Sequence, residues 1–449
     1  MRKHRLRTLG WAGLLLAFLA SPAAAARYIL QLNAGANIAL IAAEYRLVVL
    51  RPLDDDGRTV YLVNTPDPVF PALVSAILHN PGVRQFEPDA EVDSQDLPRT
   101  SAPLTSFAAL TGAIQNHTPT SYFGATVRAS YVEQPAAALI GLPAALHSFA
   151  TGTGVTVAVI DTGVDPNHPA LRGVLVPGYD FTRNRPGNAS ELEDLTQSTV
   201  AILDQSTVAI LDKIYPTVLN QSTVAILDQS TVAILDVKNL PSDFGHGTMV
   251  AGLIHLVAPN ARVMPLKAFR ANGSANLSDI VRAIYYAVDN HAKVINMSFS
   301  SETQSPSITA AMQYAWSHDV ICIASAGNDG KRVEVYPAGD RGVVGVGSTS
   351  AQDKRSAFSN FGVPSVRMAA PGEALITTYP GNNYAGVWGT SFSTALTSGG
   401  AALLSQLTPH MGPGNIGDAF EHGKNLDVDG MGDSRLDVYT SLLFCMTHG

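Results

Sequence analysis

Four short blocks in a fixed order carry the chemistry of this chain: VAVIDTGVD (157–165), FGHGTMVAG (244–252), ASAGN (324–328) and GTSFSTA (389–395). They supply a carboxylate at Asp161, an imidazole at His246, a side-chain amide at Asn328 and a hydroxyl at Ser391. Each sits beside glycine or another small residue that lets backbone come close to a bound molecule. A serine hydroxyl attacks a carbonyl slowly unless a base within hydrogen-bond reach takes its proton, and that base works better when a buried carboxylate fixes its tautomer. His246 and Asp161 fit those two roles. The oxyanion formed on attack needs donors aimed at it in a water-poor site, which the Asn328 amide and the backbone N–H of Ser391 are placed to be. Ser391 precedes a run of apolar and small residues, 392–404, that reads as a buried helix whose first amides point at developing negative charge. The set is suited to cutting acyl bonds.

In the order Asp161, His246, Ser391, the blocks resemble the subtilisin-like serine proteases; chymotrypsin-like enzymes and α/β-hydrolases use other orders. The resemblance runs over about 151–443 and takes in VAPNARVMPLKAF (257–269), AKVINMSFS (292–300), YPA (336–338) and FSNFG (358–362). It implies a serine-type endopeptidase working through an acyl-enzyme. Ser391 is then the nucleophile, His246 the general base and later acid, Asp161 the orienting carboxylate and Asn328 the oxyanion donor. It also implies that Ser298, Phe299 and Ser300 form an edge that pairs with an extended peptide. Ala326 and Gly327 then form one wall of the primary specificity pocket, and Val335 its floor. Ser300 stands where the family usually has glycine, so its side chain is expected to narrow the cleft. A preference for small or medium apolar residues over Lys or Arg follows. The rival reading is a catalytically inactive scaffold that binds a partner; a dead scaffold has no physical need for all four chemical residues.

Positioning these groups requires a frame. The runs VTVAVID, RVMPLKAF, AKVINMS, DVICIASAG and VVGVGST are short and β-branched or apolar, and 278–291 and 308–319 between them show helical spacing. That alternation predicts an α/β fold, a parallel sheet with helices on both faces, with catalytic residues at strand ends and helix starts. Ahead of this peptidase domain (127–449), residues 27–93 read as a small α+β unit: strands at 27–32, 45–53 and 57–65, a helix at 71–80, and a turn then a strand over 80–92. This unit is similar to the inhibitory prodomains of secreted subtilisins, which makes the chain's own prodomain an expected partner. Residues 94–126, rich in Pro, Ser, Thr and Ala, read as an exposed linker. Residues 1–26, with a basic start, an apolar centre and small residues at 23–26, read as a signal peptide, which points to a secreted or extracytoplasmic monomer.

Composition narrows the partners. The 449 residues are 46% hydrophobic and 15% charged, a globular balance. Loss of four basic residues with the signal peptide moves the formal charge from -8 to about -12, which disfavours nucleic acid. No later stretch is apolar enough for a membrane span. Peptide or protein substrates remain the natural partners. Cys322 and Cys445 leave one disulfide open, although Cys322 lies in a strand-like run where it reads as an apolar filler. His168 reads as structural, and His255 and His291 as surface or helix residues. No cofactor or catalytic metal is expected. Calcium is possible without an identified site: Ala170 follows His168-Pro169 where calcium-binding family members carry aspartate, and DVDGMGD (427–433) has Val438 at its twelfth position and reads as a turn.

Between Asp161 and His246 the octad QSTVAILD recurs at 197–204, 205–212, 221–228 and 229–236 around a spacer, KIYPTVLN, at 213–220. Eight-residue spacing turns a helix by about 80° per copy, so no single face emerges. Two paired elements joined near Pro216, a helical hairpin, are the expectation, and the array reads as an insertion that leaves the triad undisturbed.

Overall fold

The computed structural model describes residues 26–54, 59–66, 71–93, 116, 118–187, 189–195, 225–226 and 240–448. The expected signal peptide, the linker up to residue 115 and the octad array lie outside the described residues. The exceptions are Ala26 and the pair Ala225–Ile226, a two-residue strand against Asn383–Val387.

The strand Thr156–Asp161 explains the frame. Its residues alternate between two cores: Val157 and Val159 face one, Ala158 and Ile160 the other, and all four are buried. A strand covered on both faces needs apolar residues at every position, hence the continuous run. It is flanked by parallel neighbours Arg262–Lys267 and Val294–Met297, and the parallel ladder continues through Ile321–Ser325, Val343–Thr349 and Met368–Pro371. Gly178–Asp180 extends the sheet beyond Arg262–Lys267, and antiparallel strands finish both edges. The helices His246–Val257 and Thr390–Leu407 lie in the first core, and Leu277–Asp289 and Pro306–Ser317 in the second. The expected doubly covered parallel sheet is present. Cys322 belongs to the second core and Cys445 to the first, so the sheet separates them and both thiols are free and buried.

The N-terminal unit is a four-stranded antiparallel sheet, in the order Val48–Pro52, Val60–Asn64, Arg27–Leu32, Val83–Pro88. Helices Ile38–Tyr45 and Pro71–Leu78 pack on one face through Ile41 and Ile77, while Ile29, Val60 and Leu62 on the other join the second core of the large sheet. The first helix was not expected. Asn37 caps it, its Oδ1 accepting from the Ala39 and Leu40 amides, and Arg46 ends it in a left-handed conformation, so the strand expected from residue 45 begins at Val48.

This unit satisfies amide groups at two helix starts of the main domain. Asp89 accepts from the Ser278 amide at 2.8 Å and its hydroxyl at 3.0 Å, and the Ala90 carbonyl accepts from the Leu277 amide at 2.9 Å. Glu87 accepts from the Ser307 amide at 3.0 Å. Strand Glu91–Asp93 then pairs with Ser274–Asn276. At the far end of the expected linker, Pro119–Tyr122 and Ala125–Arg128 form a hairpin and not an exposed coil. Buried Tyr122 donates its phenol to the Leu256 carbonyl at 2.5 Å.

Candidate active site

Asp161 ends the central strand and His246 opens a buried helix, and the two side chains meet. The imidazole Nδ1 lies 2.8 Å from Asp161 Oδ1 and 3.0 Å from Oδ2, with both groups almost wholly buried. A carboxylate there requires a proton on Nδ1, which directs Nε2 away from the strand as the acceptor. Gly247 permits the approach: a Cβ at that position would stand 2.0 Å from the Gly163 carbonyl oxygen and 3.1 Å from Asp161 Oδ1. Asp161 Oδ1 also accepts from the Thr162 amide at 2.6 Å.

Ser391 begins the helix Thr390–Leu407, which is buried because its surface is small residues that let the sheet close over it. Three links set its place. Its Oγ donates to the Ser298 carbonyl at 3.4 Å, Ser298 Oγ donates to the Ser391 carbonyl at 2.9 Å, and the ring of the next residue, Phe392, lies 5.6 Å from the His246 ring. Ser298 is itself held by Asn296 Nδ2 at 3.0 Å, and Asn296 Oδ1 accepts from Ser398 at 2.9 Å. His246, Asp161, Ser298 and Phe299 line one narrow recess.

Asn328 follows strand Ile321–Ser325. Its Oδ1 accepts from the Thr390 amide at 2.9 Å and the Thr390 hydroxyl at 3.1 Å, so the side-chain NH2 lies at the other edge of the planar amide, directed away from Thr390. Gly327 has φ +87°; a Cβ there would meet Asn360 Nδ2 at 2.6 Å and Ser300 Oγ at 2.9 Å. Ser300 therefore lies against the Gly327 wall. Ser301 and Tyr336 exchange backbone hydrogen bonds at 2.9 and 2.8 Å, which brings buried Val335 near that edge. Ala326 is fully buried, and the Phe299 ring packs 4.9 Å from Phe269.

The other histidines are accounted for. His168 Nε2 donates to the Asn383 carbonyl at 3.0 Å while Nδ1 accepts from the Ala170 amide at 3.2 Å, and burial pulls its pKa down, the neutral structural form. His255 lies on a helix but is buried rather than at the surface, which lowers it to about 4. Among the described residues no group of three or more His, Cys, Asp or Glu side chains is arranged to hold a metal ion, and no helix is long and apolar enough to cross a membrane.

Residues outside the four chemical blocks surround the pair. Glu191 and Asp194 come from one short turn, and Lys267 is fully buried beside them, its Nζ donating to the Thr162 carbonyl at 2.6 Å, the Phe269 carbonyl at 2.9 Å and Asp194 at 2.7 Å. An acidic stretch, ELED, was the only signal for the carboxylates, and it reads equally well as a solvated loop.

The subtilase family model matches residues 152–435. A thermophilic serine proteinase of Bacillus sp. (strain AK1) is 33% identical over 263 residues, which cover 56% of this chain and 52% of that protein. Thermitase of Thermoactinomyces vulgaris is 30% identical over 268 residues, 57% of this chain and 76% of thermitase. The chain thus spans about half the length of the Bacillus proteinase. The crystal structure of fervidolysin from Fervidobacterium pennivorans, a keratinolytic enzyme related to subtilisin, has the same fold: TM-score 0.67 at 20% identity, over 93% of this chain and 61% of that one. With Asp161 ending a strand of the parallel sheet, His246 and Ser391 at the starts of helices packed on it, and the family match across more than half its length, this chain belongs to the subtilase family of subtilisin-like serine proteases.

Proposed function

We propose that the chain is a secreted serine endopeptidase, made with its own inhibitory N-terminal segment, that hydrolyses peptide bonds through an acyl-enzyme on Ser391. The observation that carries this reading is the buried two-oxygen contact of Asp161 with His246 Nδ1, beside a helix start that bears a serine. His246 Nε2 takes the Ser391 proton as Oγ attacks the substrate carbonyl, and Asp161 stabilises the imidazolium without accepting its proton. The oxyanion forms between Asn328 Nδ2, aimed by the Thr390 clamp on Oδ1, and the Ser391 amide. The imidazolium then protonates the leaving amine, and water repeats the sequence in reverse to free the acid and restore the hydroxyl.

The peptide pairs as an added strand with 298–300, and its side chain at the scissile residue enters between Ala326-Gly327 and Val335. Ser300 against Gly327 favours small and medium apolar groups there. Residues 27–93 act as the inhibitor: the unit is docked on the helices Leu277–Asp289 and Pro306–Ser317, and its last strand pairs with Ser274–Asn276. Residues 1–26 direct export. Labelling with a fluorophosphonate, together with hydrolysis of a chromogenic peptide, tests the proposal. Both are expected from the matured chain and neither from Ser391→Ala; a folded wild-type protein inert in both assays supports the binding-scaffold reading instead.

A further inference from the structure

A carboxyl group that the reaction does not consume lies directly behind the triad. Glu191 is fully buried. Its Oε2 accepts from Thr162 Oγ1 at 3.0 Å and from the Gly245 amide at 2.9 Å, and its Oε1 makes a short hydrogen bond with the Thr248 hydroxyl. Thr162 is the neighbour of Asp161, and its Oγ1 in turn accepts from the Gly247 amide at 3.0 Å. The amides on both sides of His246, those of Gly245 and Gly247, are thus held by Glu191, one directly and one through Thr162. Thr248 closes the loop by accepting from the Asp165 amide at 2.8 Å.

We propose that Glu191 is a positioning residue for the His246–Asp161 pair: its carboxyl locks the strand end to the helix start, and its gain or loss of a proton changes turnover through the field at the imidazole. This rests on the protease reading. The titratable groups that act on it are Asp161 from the central strand, Lys267 from the neighbouring strand, itself bonded to Asp194, and Tyr379 from the strand Leu375–Tyr379. Burial pushes the Glu191 carboxyl up to about 8, with Asp161 adding to the rise and the Thr248 and Thr162 hydrogen bonds and Lys267 opposing it. At neutral pH the site therefore holds the acid form. Ionisation above that places a negative charge beside the pair, which favours the imidazolium formed on Ser391 attack, so turnover rises with it.

Glutamine copies the acid form: its NH2 replaces the O–H toward Thr248, and its carbonyl accepts from Thr162 and Gly245. The test is kcat and KM for a peptide substrate from about pH 5.5 to 10, with circular dichroism, for wild type, Glu191→Gln and Glu191→Ala. Wild-type kcat is expected to climb first with His246 and again, by about threefold, through pH 8. Glu191→Gln should match wild type within about twofold near pH 7 and lack the second climb. Glu191→Ala should lose at least about tenfold in kcat at every pH with KM little changed, since the clamp itself is gone. A folded Glu191→Gln that keeps the second climb, or a folded Glu191→Ala with wild-type kcat, overturns the proposal. Failure of both variants to fold also overturns it, assigning Glu191 to stability alone. A wild type that neither hydrolyses peptide nor reacts with fluorophosphonate overturns the protease reading instead.

Discussion

Removing the Asp89 carboxylate should detach the N-terminal unit far more effectively than its small size suggests. Both oxygens are used: Oδ1 takes the Ser278 amide, Oδ2 takes the Ser278 hydroxyl and pairs with Arg27 at 2.6 Å, and the side chain is fully buried. The helix Leu277–Asp289 has four N-terminal amides without partners in the helix, and Asn276 at its cap makes no side-chain hydrogen bond to them. The docked unit supplies that cap. Losing a side-chain cap, with its amide left unpaired, costs about 1 kcal/mol, and losing an acidic charge at a helix N-terminus about 0.3–1. Asp89→Ala should therefore weaken docking by about 1.3–2 kcal/mol, or about 10- to 30-fold in inhibition constant. Glu87 accepts through Oε2 from the Ser307 amide and the Ser305 hydroxyl at the start of Pro306–Ser317 and from Gln85 Nε2, and stays partly exposed, so Glu87→Ala should cost about 1 kcal/mol. The two caps serve different helices, so the losses should add within about 0.5 kcal/mol. The assay is inhibition of the matured domain by residues 27–93 supplied separately, with peptide hydrolysis as the readout. Inhibition by Asp89→Ala within twofold of the unaltered segment would refute the reasoning, because sheet and core contacts would then carry docking alone.

Three further outcomes follow from the same geometry. Asn328→Asp keeps the oxygen that Thr390 needs and replaces the donor by an anion; kcat should fall by about 10²- to 10³-fold with an unchanged circular dichroism spectrum, and a loss below tenfold would remove Asn328 from the oxyanion site. Ser300→Gly clears the space against Gly327, so the kcat/KM ratio of a Phe over an Ala substrate at the scissile position should rise by about tenfold or more; an unchanged ratio would place the selective wall elsewhere. Glu191→Gln should also change how stability depends on pH. A carboxyl raised from 4.5 to about 8 on folding gives wild type its full stability only in the acid range and removes it as pH climbs between those values. The melting temperature of Glu191→Gln should gain on wild type across about pH 5 to 8 and hold the gain above, and a flat difference would mean that Glu191 titrates normally.

What the sequence revealed follows from the range of the interactions involved. The central strand was legible because burial on both sides forces an unbroken apolar run, and the Asp161–His246 pair because both members sit in blocks whose small residues are needed for contact, as Gly247 shows against Gly163 and Asp161. Other elements carry local signals. Asn37 ahead of IALIAAEY is an N-cap, and LITTY and NYAGV around a Pro-Gly turn are the antiparallel hairpin Leu375–Tyr379 with Asn383–Val387. Residues 119–126 read as linker from their composition, yet Tyr122 is held by a carbonyl 134 positions away. No window of sequence contains that partner.

The support behind the site was hidden for the same reason, and it explains why the acidic turn precedes the octad insertion. Asp194 accepts from the Ala271 amide at 2.6 Å and pairs with buried Lys267 and with Arg183, which also pairs with Asp180 at 2.9 Å. Removing one member of such a buried cluster leaves its partner charged and desolvated, so the turn Glu191–Asp194 is fixed from both sides. On the other side of the array in sequence, the Asp243 amide bonds to the Ala271 carbonyl at 2.8 Å. The described residues Asp194 and Asp243, which flank the array in sequence, are therefore both tied to Ala271 in the loop that follows Lys267. The contacts that hold Thr162, Gly245 and the His246–Asp161 pair come from outside 197–236, so the array, thirty-two of whose forty residues are octad copies, separates Asp161 from His246 in sequence without supplying any of these contacts.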